Sequence, residues 1–289
     1  MYKANAIPEA STGCRATLTE QRYSESAAAF DSVAPTYNGP AGNNELVQHM
    51  RSHLWSRVST LAAPGARLLD LGCGTGIDAV HFAHQGYTVT AIDASQAMLE
   101  QTRLLAANSE ASSRILTLHM GIQDIGRHKN LGNGDFDLIY SNMGALNCLA
   151  NLASLAEDCA KHLSKGGHLV MAVMGKVCPW ELLYYTLHAD FARAHLRLTT
   201  KQIPVRLNGK TVWTSYYTPA EVAEAFSNGF TLKHCQALNL FLPPPYLIGA
   251  IERIPSAFAP LAFLDRYLGQ LPVLRNMGDH FLLELMRRD

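Results

Sequence analysis

The stretch Asp70-Leu71-Gly72-Cys73-Gly74-Thr75-Gly76 has the most chemistry to offer. Glycines at alternate positions let backbone approach a ligand that any Cβ would push away. Leu68–Leu71 before the loop reads as a buried strand, and Ile77–Ala83 after it as a helix that starts there. Asp70, at the loop entrance, suits a ligand with a cationic end and would repel a pyrophosphate. The nicotinamide-type pattern Gly-x-Gly-x-x-Gly fails in this frame, because position 77 is isoleucine. Two further acids fall at useful spacings. Asp93, 17 residues beyond Gly76, closes a second strand, where a carboxylate can accept both hydroxyls of a ribose. Asp124, just past a third strand, can accept from an adenine amino group.

These residues need a scaffold that brings strand ends together. Strands are expected at Arg67–Leu71, Tyr87–Asp93, Arg114–Met120, Phe136–Asn142 and His168–Met174, separated by helices, one of them capped by Ser95. That alternation implies a parallel sheet with helices on both faces and ligands at the carboxyl ends of the strands. Ahead of it, Leu46, Met50, Leu54, Val58 and Leu61 are spaced for one buried helical face, with Asn43 or Asn44 as its cap. After Met174 the rhythm changes. Pro179–Leu198 reads as one long aromatic helix, Gln202–Tyr217 as a hairpin turning at Asn208-Gly209, and Phe230–Leu240 and His280–Arg287 as strands. The expected organisation is a disordered leader (1–28), an N-terminal helical segment over the cofactor site (29–64) and a core (65–175). A cap insertion (176–218) follows, and 219–289 completes the sheet around a second insertion (243–278). Both insertions are expected to cap the strand ends.

Leu69–Gly76, Ala91-Ile92-Asp93-Ala94-Ser95 with Met98, Gln123-Asp124-Ile125 and Phe136-Asp137-Leu138-Ile139 together resemble the successive motifs of class I S-adenosylmethionine (SAM)-dependent methyltransferases. The likeness is greatest to the small-molecule and quinone-methylase branch, and it covers roughly 65–175. It implies an α/β fold: a Rossmann-like, seven-stranded, mostly parallel sheet whose last strand is antiparallel. It also implies SAM as cofactor and S-adenosylhomocysteine as product. Gly72, Gly74 and Gly76 would surround the methionine end with Asp70 and Cys73. Asp93 would hold the ribose, and Asp124 with Ile125 the adenine. Ala94, Met98, Gln123 and Asn142 complete the expected cofactor contacts. Phe30-Asp31, Ala34 and Tyr37 resemble the N-terminal segment that closes over the cofactor in such enzymes.

The sulfonium carries the activation, so such a protein mainly aligns an acceptor, and a decisive catalytic motif is not required. Tyr37, His53, His188 and Asn142 are the candidate catalytic groups. Asn147, Trp180, Tyr184 and Tyr217 are candidates for holding the acceptor, in an apolar, aromatic-rich pocket. Several patterns are missing: the Asp/Asn-Pro-Pro-aromatic motif of nucleic-acid and glutamine methylases, and the acidic pair that would hold magnesium. No metal site is expected. The six cysteines are scattered, with no Cys-x-x-Cys pair, and are read as free thiols in a reducing cytoplasm. Lys plus Arg and Asp plus Glu balance at 24 each, which argues against nucleic acid as partner. No apolar run is long enough to span a membrane. The expectation is therefore a cytoplasmic monomer or homodimer acting on the O, N or C atom of a small, largely apolar metabolite. The alternatives are a methyltransferase of proteins or RNA, and a SAM-binding regulator without turnover.

Overall fold

The computed structural model describes residues 12–40, 42–128 and 131–289. In chain order the first elements are α1 (Thr12–Asp31), α2 (Glu45–Leu61), β1 (Arg67–Leu71), α3 (Ile77–His84), β2 (Thr88–Asp93), α4 (Gln96–Ala107), β3 (Ile115–His119), β4 (Phe136–Ser141), α5 (Leu152–His162) and β5 (Leu163–Met174). Beyond them lie α6 (Pro179–Leu187), α7 (Phe191–Ala194), β6 (Ile203–Leu207), β7 (Lys210–Thr214), α8 (Pro219–Ala225), β8 (Phe230–Leu238), α9 (Gly249–Glu252), α10 (Phe258–Leu268) and β9 (His280–Arg287).

Seven strands form one sheet in the order β3-β2-β1-β4-β5-β9-β8. The first five in that order run parallel, and β9 is antiparallel to both β5 and β8. The sheet has the seven strands and the antiparallel last strand that the motif resemblance implies. Successive residues of β1 face opposite sides, so Leu69 joins a core with α5 and α8 while Leu68 joins another with α2 and α3. Both faces are therefore covered, which is why these strands are nearly all apolar. Chain order reverses between β1 and β4, and at such a switch point the two flanking loops part to leave a crevice.

Local signals place several boundaries. Ser95 caps α4 by accepting from the Met98 N–H at 3.1 Å, and Asn44 caps α2 by accepting from Val47 at 3.2 Å. Asn208 and Gly209, at φ +48° and +77°, make the tight turn of the β6–β7 hairpin.

Three expectations need correction. The leader expected to be disordered over 1–28 is α1 from Thr12 onward; residues 1–11 lie outside the described residues. Its stability comes from a tertiary partner. The Trp213 N–H donates to Ser26 Oγ at 3.0 Å, its indole N–H to Glu25 at 2.6 Å, and Lys210 reaches the Ala28 carbonyl. Second, Pro179–Leu198 is two helices, broken at Ala189 (φ +56°), where the Asp190 side chain caps α7 from the Arg193 N–H.

Third, the 243–278 insertion contributes no residue to the cavity over the parallel strands and lies beside the end of β8. It packs on the start of α2 through Leu46, Leu242 and Ile251. Its anchor is Asp265, whose buried carboxylate accepts the N–H groups of Leu240, Phe241 and Leu242 at 2.9, 2.7 and 3.2 Å. Removing that carboxylate leaves three N–H groups beneath the Pro243–Pro245 run without an acceptor. Asp265→Ala is expected to lower unfolding free energy by about 3 kcal/mol, read by urea denaturation at neutral pH. A change within about 0.5 kcal/mol would show that the insertion is held by other contacts.

Candidate active site

The loop between β1 and α3 takes its shape from three left-handed glycines, Gly72, Gly74 and Gly76, at φ +77°, +54° and +81°. The N–H groups of Gly72 and Cys73 both donate to the Ile92 carbonyl, which ties the loop to the end of β2. A Cβ on Gly72 would come within 2.5 Å of the Ala145 Cβ, and one on Gly76 within 2.6 Å of Thr102. One on Gly74 meets nothing within 4 Å. Gly72 and Gly76 thus serve packing, while Gly74 presents bare backbone to open space.

Asp93, at the end of β2, accepts the Gly74 N–H on one oxygen and the Ser95 N–H on the other, each at 2.8 Å. Each oxygen keeps a lone pair for a further donor. Burial raises the Asp93 carboxyl above the usual range, so additional hydroxyl donors would relieve a poorly solvated charge.

A cavity of about 1100 Å³, counted out to its solvent mouth, opens over the switch point. Its wall on the β1–β2–β3 side includes Gly72, Cys73, Gly74, Asp93, Ala94, Met98 and Gln123. On the β4–β5 side lie Asn142, Met143, Cys148, Leu149 and Met174. The roof comes from α1 (Tyr23, Ser26, Ala27, Phe30), from Tyr37 and from β7 (Val212, Thr214). Two bonds fasten the N-terminal segment to the glycine loop and α4: Thr75 Oγ1 donates to Asn38, and Ser95 Oγ to Asp31, both at 2.6 Å.

Beneath the loop is a buried polar cluster. Arg51 on α2 pairs with Asp78 on α3 at 2.7 Å, and Asp78 also accepts from the Trp55 indole and from Asn142 Nδ2. Arg51 lines the cavity, and its Nε–H is buried without a hydrogen-bond partner among the described residues. Tyr140 donates to Asp70 at 3.0 Å, and burial near Asp78 pushes the Asp70 carboxyl well above its usual range.

Several expected residues stand elsewhere than anticipated. Asp70 and Gly76 support the loop from below and are not part of the cavity wall. Ile125 is core, and the neighbouring Ile122 lines the cavity in its place. Asp124 accepts from Gln123 Nε2 and is not part of the cavity wall, whereas Gln123 is. Asn147 is fully buried and saturated: it donates to Met174 and Ser215 carbonyls and accepts the Met174 N–H. Trp180 is bound to the Phe241 carbonyl, and Tyr217 to the Leu149 carbonyl. Tyr184 and His188 stack on one another at the exposed surface of α6. His53 packs against His49 and Gln236, and burial lowers it to about 4, so it is neutral. Among the described residues no histidine lines the cavity.

Arg51, Asp78 and, in the α1 roof, Tyr23, Ser26 and Ala27 were missed from the sequence. A signal for the roof was there, since Tyr23, Ser26, Ala27 and Phe30 fall at i, i+3, i+4 and i+7. Arg51 and Asp78 are far apart in the chain and carry no such mark.

Residues 68–167 match a family described as a methyltransferase domain. A ubiquinone biosynthesis O-methyltransferase of Caulobacter sp. (strain K31) is 32% identical over 114 residues, 39% of this chain and 42% of that one. One from Alkalilimnicola ehrlichii is 27% identical over 219 residues, 72% and 78% of the two chains. This chain thus spans about two fifths of the length of the first relative. The solved structure of Burkholderia thailandensis 1,6-didemethyltoxoflavin-N1-methyltransferase, with 1,6-didemethyltoxoflavin and S-adenosylhomocysteine bound, superposes with a TM-score of 0.56 at 14% identity. That likeness covers 99% of this chain and 94% of the other.

The two glycines make a sharp contrast. Gly72→Ala combines a left-handed cost of about 1–2 kcal/mol with a backbone-level clash, so loss of stability is expected. Gly74→Ala should cost only about 1 kcal/mol of stability, yet weaken SAM binding at least about tenfold, because its methyl enters the cavity. Denaturant melts and calorimetric titration with SAM distinguish them; full SAM affinity in Gly74→Ala would remove the loop from the binding surface.

Proposed function

We propose that this chain, whose residues 68–167 match a methyltransferase-domain family, is a class I SAM-dependent methyltransferase that transfers the methyl group of SAM to a small, largely apolar acceptor held under the α1–β7 roof. The observation that carries this reading is the composition of the cavity. Its charged groups, Arg51, Asp78 and Asp93, all lie on or against the glycine-loop side. The β4–β5 side and the roof carry no charged side chain: they offer Met143, Leu149, Met174, Phe30, Ala27 and Val212 beside the neutral polar groups of Asn142, Tyr23, Ser26, Tyr37 and Thr214. A neutral molecule of modest size suits that second half, and a polymer would need a wider mouth than a roof of helix and hairpin allows.

Bound SAM supplies an activated methyl on a cationic sulfur. Asp93 accepts the ribose hydroxyls on lone pairs left free by Gly74 and Ser95. Arg51 offers a buried guanidinium N–H to the carboxylate of the methionine end, and Asp78 beside it balances the ammonium. Asn142 fixes Asp78 from the β4 side. Tyr37 stays protonated through the neutral range because burial raises its hydroxyl, so it can donate a hydrogen bond and does not act as a base. Cys148 is pushed up to about 12 by burial, which leaves a neutral thiol and rules it out as a nucleophile near pH 7. With no histidine in the cavity, the chain aligns an acceptor that brings its own nucleophile.

Calorimetry should show SAM binding and no NAD binding; NAD binding alone would overturn the cofactor. Asp93→Ala should weaken SAM by about 1–3 kcal/mol. Transfer from labelled SAM should appear in a panel of phenols and hydroxyquinones, and transfer only to peptides or RNA would sink the acceptor class. The midpoint of the pH–rate profile should follow the acceptor's own ionisation as the phenol is varied. A midpoint fixed near 6.5 for every acceptor would require a histidine base that the cavity does not contain.

A further inference from the structure

Among the described residues, twelve of the sixteen exposed large apolar side chains lie on the two insertions. They are not scattered singly. On α6, Leu183 and Leu187 sit one turn apart and are 58% and 75% exposed. On α10, Phe263 and Tyr267 stack at 4.5 Å with both rings exposed, while Phe258, Leu261 and Ala262 face inward. Both insertions are bolted to one place. Arg197 makes a bidentate pair with Glu181 on α6 and binds Asp279 beside β9, and Glu181 accepts from Tyr246 of the second insertion.

Charge follows the same division. Segments 176–218 and 243–278 hold nine Lys and Arg against four Asp and Glu, a net of +5 in a chain whose total is zero. Glu181 and Asp265 are used internally, as are Arg197, buried against Glu181 and Asp279, and Lys176, paired with Glu221, so the exposed charge of the second insertion rests on Arg253 and Arg266 against Glu252. Exposed Arg253 stands beside Ile254, and exposed Arg266 beside Tyr267, so cations alternate with apolar side chains.

We infer that this two-insertion face docks on an anionic lipid bilayer and lies in its interface. Apolar side chains enter the headgroup boundary, and Arg253 and Arg266 engage acidic headgroups. The helical pair 245–252 and 255–268 is apolar enough to enter a bilayer but bends by 113°, and no single helix among the described residues is long and apolar enough to cross one. A bent pair of that kind can rest along a surface. A second copy of the chain fits less well, because a symmetric contact would bring the exposed Arg253 and Arg266 of one copy onto a face that carries the same cations.

Vesicle co-sedimentation of the full chain tests this without any methyl transfer. The protein should pellet with vesicles of phosphatidylcholine plus phosphatidylglycerol, stay in solution with phosphatidylcholine alone, and be released by salt. Phe263→Ser/Tyr267→Ser and Arg253→Glu/Arg266→Glu should each weaken binding about tenfold or more. Leu183→Ser/Leu187→Ser, on the other insertion, should act independently and in the same direction. Thermal melts and SAM titration should be unchanged in all three. Failure to pellet with the acidic vesicles at low salt overturns the inference. So does wild-type binding by all three variants, or a dimer in gel filtration that Phe263→Ser/Tyr267→Ser dissociates while vesicles are ignored.

Discussion

The hydrogen bond from the Gly74 N–H to the Asp93 carboxylate, 2.8 Å long, joins the loop after β1 to the end of β2. Much else depends on it. It forms with the left-handed backbone at Gly74, a conformation that a residue without Cβ takes without strain. It also holds a poorly solvated carboxylate at the crevice, with the second oxygen occupied by Ser95 N–H at the start of α4. One acidic side chain thereby sets the loop, begins the next helix and keeps spare acceptor capacity facing the cavity. The Rossmann-like sheet supplies the setting, since only at the switch point do neighbouring strand ends diverge enough to leave space.

Around that bond the molecule separates its electrostatics from its apolar surface. Arg51 and Asp78 are buried under the glycine loop and neutralise one another, with Trp55 and Asn142 also donating to Asp78 and one acceptor position left on it. Breaking such a pair would leave an uncompensated charge, which explains why four side chains from three elements converge on it. The opposite half of the cavity carries no comparable charge. Its roof is α1, held along β7 by Trp213, Ser26, Glu25 and Lys210, so the hairpin edge is covered and the cavity is closed by the same contact.

How far these features could be read from sequence follows from the range of the forces that create them. Strands β1 to β4 and β9 fall within one or two residues of the expected runs because hydrophobic periodicity is local. Ser95 and Asn44 could be named as caps because a cap is a contact three residues long. Asn147 misled, since an amide after a strand reads the same whether it faces a ligand or closes a loop; here it binds Met174 and Ser215. Trp180 and Tyr217 misled for the same reason, each having found a carbonyl to satisfy its polar tip. Asp124 is one position from the cavity-lining Gln123, and Ile125 three positions from the cavity-lining Ile122, because a short 3-10 turn sets the phase there.

By itself the sequence determined the sheet, the glycine loop and the acid at the end of β2. Each is encoded within about twenty residues, as a period, a turn or a motif at fixed spacing. Only the tertiary structure decided what closes the site. Residues 12–31 carry little local signal and become a helix because β7, some 180 residues later, gives them a surface to cover. The tertiary structure also decided that Arg51 meets Asp78, and that the 243–278 insertion packs on α2 beside the end of β8. Those outcomes rest on contacts between distant segments, whose energies depend on a geometry that no local pattern contains.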